Sequence, residues 1–261
     1  MLRGEAINYC LGLGAYLAEF NTCSDFVDII RALDVAGFNA GSFWTGAVKF
    51  ADLWSWETSG ASLVYGAPYW TPFVPLTNVS DCAVVDSRGS YMEPSDCFSI
   101  AFPMCETPAV NSKEEESRKA PKVVCQAPFT EVGGRCFYIN QNFLTWENAR
   151  TSCQNLISGT VVDLAVLSTC DLFTDVVRFL EESETGISEW LWVGANDYQE
   201  SGVYRWLSGD FISPGVPLWC PGQPNNFGEN QNCAMLWGKN FYYLADEECT
   251  SIHRSVCEIG V

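Results

Sequence analysis

The chemistry with the densest side-chain support lies in QPNNFGENQNC (223–233). Gln223, Asn225, Glu229 and Gln231 place oxygen atoms on a Pro-bent, Gly-containing segment that ends at Cys233. Oxygen-rich loops of this kind suit a hard cation such as calcium, which takes six to eight oxygen ligands. Only Glu229 in the segment is a carboxylate, so the ion would be held largely by amide oxygens of partial charge. Catalytic chemistry has less to work with. The one histidine, His253, stands between Cys249 and Cys257 and reads as an ordinary strand residue. No Gly-rich phosphate loop follows a strand, and a Ser/His/Asp or Cys/His site would rest on that single imidazole. The chain is expected not to be an enzyme.

The totals set the frame for that loop. At 261 residues and 48% hydrophobic, with ten Trp, the chain can bury sizeable cores. It carries 14 basic against 32 acidic residues, a net charge of −18. Phosphate backbones and anionic lipid would be repelled, so neither nucleic acid nor membrane insertion is expected. Thirteen cysteines without a CxxC pair point to structural disulfides and an oxidising, extracellular compartment. The sequon Asn78-Val79-Ser80 is consistent with glycosylation of a secreted protein.

The elements that must position the loop occur twice. Cys10 matches Cys153 at an offset of ~143, Thr22-Cys23 match Thr169-Cys170, and Trp44-x-Gly46-Ala47 match Trp192-x-Gly194-Ala195. Trp70 then matches Trp219, and Cys82, Cys97 and Cys105-Glu106 match Cys233, Cys249 and Cys257-Glu258. The offset only grows, as small loop insertions in one copy of an internal duplication would produce. The expected division is a first domain at 1–106, a polar linker at 107–124 and a second domain at 125–261. Only the second copy has the opening stretch CQAPFTEVGGRCFYINQNFL (125–144). The first copy therefore reads as lacking its opening strand, and the apolar start 2–20 as folded sequence rather than a cleaved leader, with a chain start placed inside the domain as the simplest explanation.

Within each copy the periodicity gives two helices and then short strands, an α+β pattern. Trp146, Ala149, Cys153 and Leu156 share one helical face, and Phe173, Val176, Val177 and Leu180 another, capped by Ser168 and Asp171. Thr22 and Asp25 cap the corresponding helix of the first copy, with Phe26, Ile29, Ile30 and Leu33 as its inward stripe. Strands are expected at 189–194, 204–208, 232–237, 241–245 and 254–258, with a hairpin turn at 238–240. A long irregular loop spans about 209–232, a length that is usually functional or disordered. Cys153 and Cys257 would join the ends of the second domain, Cys233 and Cys249 would tie down the loop, and Cys125 and Cys136 would close the opening hairpin.

This order of markers, with WVGA at 192–195, a Pro-containing loop before Cys233 and a terminal Cys257-Glu258, resembles the C-type lectin-like domain. The resemblance implies two helices and two small antiparallel sheets in each domain, with the long loop as ligand surface. In sugar-binding members calcium sits under a Glu-Pro-Asn or Gln-Pro-Asp triplet. Mapped here, the triplet is Gln223-Pro224-Asn225, a later carboxylate position holds Gln231, and the Trp-Asn-Asp position is Leu244-Ala245-Asp246. Gln223, Asn225, Glu229 and Asp246 thus form a weakened calcium set, with Gln231 completing the candidate ligand surface. The first copy's counterparts, Pro72-Phe73-Val74 and Met92-Glu93-Pro94, offer only Glu93, so calcium-dependent sugar binding is not expected there. Trp219 and Trp70 lie near the loops and read as core residues before sugar-stacking ones.

Cysteine arithmetic completes the set. The second copy pairs all eight cysteines if Cys170 joins Cys220. The first pairs Cys10 with Cys105 and Cys82 with Cys97, and leaves Cys23 free, bound to absent sequence, or available for an intermolecular bridge. Together these features point to a secreted recognition protein whose partner is a glycan, or alternatively a protein bound without calcium.

Overall fold

A computed structural model describes residues 1–38, 41–51, 53–63, 66, 68–72, 81–86, 91–107, 123–183, 190–213 and 218–261 of the chain. It divides into two compact units, Met1–Lys119 and Ala120–Val261. Asn78, Phe73, Val74 and residues 108–122 of the expected linker lie outside the described residues.

The first unit runs α1 (Arg3–Gly12), β1 (Tyr16–Leu17), α2 (Cys23–Val35), β2 (Ser42–Phe50), β3 (Leu53–Trp56), β4 (Ser62–Leu63), β5 (Cys82–Asp86), β6 (Tyr91–Ser95), β7 (Phe102–Pro103) and β8 (Cys105–Glu106). Helix α2 starts where Thr22 accepts from the Asp25 N–H (3.1 Å) and Asp25 accepts in return from the Thr22 N–H (2.9 Å). Of the stripe expected to face inward, Phe26 is buried, while Ile29, Ile30 and Leu33 are only half covered. Strands β4, β3, β2, β5 and β6 form one ladder with β7 parallel to β2, and β1 pairs with β8 apart from it. Disulfides join Cys10 to Cys105 and Cys82 to Cys97.

The second unit runs β9 (Thr130–Val132), β10 (Arg135–Leu144), α3 (Trp146–Gln154), β11 (Val162–Leu164), α4 (Cys170–Glu182), β12 (Trp190–Asn196), β13 (Arg205–Trp206), β14 (Gln231–Trp237), β15 (Tyr243–Glu248) and β16 (His253–Ile259). Its two helices bury the faces their spacing requires: Trp146, Ala149 and Cys153 on α3, and Phe173, Val176, Val177 and Leu180 on α4. The α4 cap is Thr169, which accepts from the Leu172 N–H at 3.3 Å, rather than Ser168, because the first helical residue is Cys170. The expected pair of small antiparallel sheets is instead one connected ladder in the order β15-β14-β12-β16-β10-β9. The join is the parallel pairing of β12 with β16, which lies bonded between β12 and β10. The hairpin expected at 238–240 is a 3₁₀ turn, followed by Phe241 and Tyr242 at φ 55° and 61°.

The WVGA strand holds this unit together. Trp192 Nε1 donates to the Leu144 carbonyl (2.9 Å) and Trp146 Nε1 to the Val193 carbonyl (2.9 Å), so two fully buried indoles each satisfy their one donor. Gly194 lies where β12 meets the end of β11. A Cβ there would stand 2.6 Å from the Leu164 oxygen, so only glycine admits the close approach. Cys153–Cys257 closes a separation of 104 residues, Cys233–Cys249 one of 16 and Cys125–Cys136 one of 11.

Two cysteine expectations are corrected. Cys170 is disulfide-bonded while Cys220 keeps a buried thiol, so the Cys170–Cys220 bridge is not made. Cys220 is 1% exposed, and its backbone N–H is committed to the Leu244 carbonyl of β15 at 2.9 Å. Cys23 is likewise disulfide-bonded and buried at the start of α2, and is no spare thiol for an intermolecular bridge.

Candidate functional site

The long loop of the second unit rests on a floor of Tyr204 and Trp219, both buried and meeting edge to face at 5.0 Å. Trp219 is fully buried, as is Trp70 in the first unit, so neither offers a ring to a ligand. The Tyr204 hydroxyl donates to the Gln231 carbonyl at 2.7 Å and pins the far end of the loop. Burial pushes that phenol far above its ordinary range, with the charges of Asp246 and Asp197 adding to the effect, so it stays a donor.

Strand pairing fixes Asp246 on β15 opposite Ala234 of β14, under the loop and 1% exposed. Its carboxylate is met by successive backbone donors. The Asn225 N–H reaches Oδ1 at 3.0 Å and Oδ2 at 3.1 Å, and the Asn226 N–H reaches Oδ2 at 2.6 Å. The next N–H, of Phe227, is shared by the Asn225 Oδ1 (2.8 Å) and the Gln231 Oε1 (2.7 Å). Asn226 closes the ring by accepting the Gln231 N–H on its Oδ1 at 3.1 Å. Asn226 has φ 46° and ψ 44°, a left-handed turn that Asn tolerates and that swings neighbouring N–H groups to one side. Gln223, linked to Pro224 by a cis bond, keeps a buried Oε1 without a partner among the described residues.

The structure therefore brings Asn225, Gln231 and Asp246 together, but around N–H hydrogens. A cation at their centre would face the positive ends of three backbone dipoles, while calcium needs six to eight oxygens turned inward. Gln223 contributes the one candidate oxygen still open. Glu229 is exposed, and no hydrogen bond joins its side chain to the cluster among the described residues. No group of three or more His, Cys, Asp or Glu converges as a metal site among the described residues. The donor set does not fit calcium.

His253 is packed between the rings of Trp190 (5.0 Å) and Trp192 (4.9 Å), and burial lowers its pKa against the opposing charge of Glu247. The flanking Cys249 and Cys257 are bonded elsewhere. Two residues of the site escape sequence reasoning: Tyr204, and the buried Asp197, which accepts from the Gly202 N–H at 2.7 Å and shapes the loop that follows β12. The available signal for Asp197 was an acid directly after an apolar strand.

Comparison with known proteins gives this arrangement its relatives. Residues 142–259 match the family model of the lectin C-type domain. The hepatic lectin of Gallus gallus is 27% identical over 127 residues, 48% of this chain and 55% of its own, so the chain spans about half the length of that relative. Lithostathine-1 of Mus musculus is 24% identical over 172 residues, covering 66% of this chain and 98% of its own. Among solved structures, the C-type lectin CEL-I from Cucumaria echinata is 20% identical with a TM-score of 0.46, over 52% of this chain and 96% of its own. Residues 142–259 form a C-type lectin domain of the α+β class.

Proposed function

We propose that the chain is a non-enzymatic recognition protein of the extracellular space, built from two C-type lectin-like units, the second of which binds glycans on its long loop without calcium. One observation carries the last part: backbone N–H groups at 225–227 close on Asp246, Asn225 and Gln231, and do the organising work a cation would otherwise do. With these oxygens turned inward, the amide nitrogens of Asn225 and Gln231 are left as donors for sugar hydroxyls. The Phe227 ring, 80% exposed, supplies an apolar face beside them.

The family match and the lectin relatives support glycan recognition. Density of disulfides supports an oxidising, extracellular setting, and among the described residues no helix is long and apolar enough to cross a membrane. Duplication is supported by repeated contacts. Trp44 Nε1 donates to the Met1 carbonyl at 3.0 Å, as Trp192 Nε1 does to that of Leu144 at 2.9 Å. Gly46 N–H donates to Ala18 (2.9 Å) and Gly194 N–H to Ala165 (2.8 Å). Among the described residues the first unit has no strand corresponding to β9 and β10.

A glycan array probed with the intact chain in calcium and again in chelator tests the reading. The same glycans are expected to bind under both conditions. Binding that vanishes in chelator would overturn the metal-free site, and a blank array with capture of a protein ligand would move the loop to protein recognition.

A further inference from the structure

A cavity of about 260 Å³ opens in the first unit between α1, β1 and the turn after β3, lined by Ile7, Leu11, Tyr16, Leu17, Glu57 and Thr58. Ile7 and Leu11 follow Arg3 at four-residue steps, so all three share one face of α1. The apolar side chains and the Tyr16 ring form the walls, and the polar groups between them accept rather than donate. Glu57 engages Arg3 through Oε2 at 2.8 Å and keeps Oε1 without a hydrogen bond among the described residues. Further acids lie behind this wall. Buried Glu19 accepts the Thr58 N–H at 2.6 Å, and Glu106, opposite Tyr16 in the β1–β8 pair, has Glu19 and Asp25 as charged neighbours. Arg3 is buried and already committed to Glu57.

The second unit shows what such a space holds. Asp163 opposes Glu258 there as Tyr16 opposes Glu106, and Cys153–Cys257 ties helix to last strand as Cys10–Cys105 does. Arg150 stands three residues before Cys153, as Ile7 stands before Cys10, and its side chain takes the space. Its Nε and Nη2 meet the Asp163 carboxylate at 3.1 Å, and Gln154 Nε2 joins them at 3.1 Å. The segments flanking that unit do not fill it. Strand β10 meets α3 at Ser152, two residues on and so on the opposite flank, where Asn140 Nδ2 donates to the Ser152 hydroxyl at 2.9 Å. The chain after Glu258 runs past it, with Ile259 paired to Val162 and the Gly260 N–H on the Val161 carbonyl at 2.9 Å. In the first unit Ile7 replaces the arginine, so a cationic head is gone from a space that acids still border.

We infer that this cavity binds a small hydrophobic amine, its apolar body against Ile7, Leu11, Leu17 and the Tyr16 ring and its ammonium on Glu57 Oε1. A dry cavity of ~150 Å³ holds benzene, so about 260 Å³ takes one ring with a short alkyl chain. The probe is phenethylamine, titrated into the intact chain by calorimetry beside its neutral and anionic counterparts, phenethyl alcohol and hydrocinnamate. Saturable binding of the amine is expected, with the alcohol weaker and the carboxylate roughly tenfold weaker or more. Ile7→Arg, which restores the second unit's side chain, should abolish amine binding and leave the thermal melt in place. Leu11→Trp fills the same cavity without adding charge and should abolish binding too, which keeps the test standing if the arginine variant fails to fold. Binding indifferent to the probe's charge, binding that survives in a folded variant, or no saturable binding by the intact chain would overturn the proposal.

Discussion

Replacing Asp246 by Ala removes the acceptor on which the long loop closes. Two backbone donors, Asn225 N–H and Asn226 N–H, make three contacts of 2.6–3.1 Å with its carboxylate. A hydrogen bond to a charged group contributes about 1.5–3 kcal/mol net, so the two donors together account for ~3–6 kcal/mol. The loop lies at the surface and can swing into water, so the cost falls on local opening rather than on global unfolding. Taking ~3 kcal/mol at one decade per ~1.4 kcal/mol, opening becomes more than a hundredfold more frequent. Hydrogen exchange with mass spectrometry on the intact chain reads this directly: amides 225–227 should lose about two decades of protection while β16 keeps its own. D246N, which retains one carbonyl oxygen and no charge, should fall between the two. Wild-type protection should also be the same in calcium and in chelator. Unchanged loop protection in D246A, or wild-type protection that drops tenfold in chelator, would refute the reasoning.

Phe227→Ala should abolish or sharply weaken glycan retention on an array while moving thermal stability by no more than about 0.5 kcal/mol, because the ring is exposed. Gly194→Ala should destabilise the second unit by about 2 kcal/mol or more, measured by denaturant unfolding, since a Cβ would press on the Leu164 carbonyl at 2.6 Å within a close-packed interior. Burial raises the Glu258 carboxyl to about 7, outweighing the Val166 N–H and Arg135, both of which favour the charged form. The folded state then holds a proton that the unfolded state has released: the contribution is fully present below about pH 4.5 and is lost as pH rises through about 7. Melting temperatures across pH 4–8 should therefore decline with rising pH more steeply in wild type than in E258Q, and parallel profiles would refute the shift.

Much of this fold could be read from residue spacing because apolar periodicity and rare-residue order report directly on burial. The stripe Phe173, Val176, Val177 and Leu180 is buried as its 3.6-residue period requires. Trp-x-Gly-Ala recurs where an indole must reach a carbonyl and a glycine must admit another backbone. What spacing leaves open is direction. Ile29, Ile30 and Leu33 keep the same period as their second-unit counterparts but are only half covered, because coverage depends on what packs against α2. Cys220 could be counted toward a disulfide from its number but not from its place beneath β15.

The candidate site shows the same limit in its sharpest form. Gln223, Asn225, Gln231 and Asp246 offer oxygens whether a cation or a hydrogen-bond donor receives them, so side-chain type alone supports two opposite chemistries. The backbone at Asn226 decides between them. At φ 46° it turns the 225, 226 and 227 N–H groups toward the oxygens of Asp246, Asn225 and Gln231. The sequence does carry a trace of this, since Asn-Asn-Phe-Gly places Asn, which tolerates left-handed φ, two residues before a glycine. On the proposed reading, backbone dipoles supply the positive charge at the centre of this loop, and an amide at position 231 and an alanine at 245 are compatible with it.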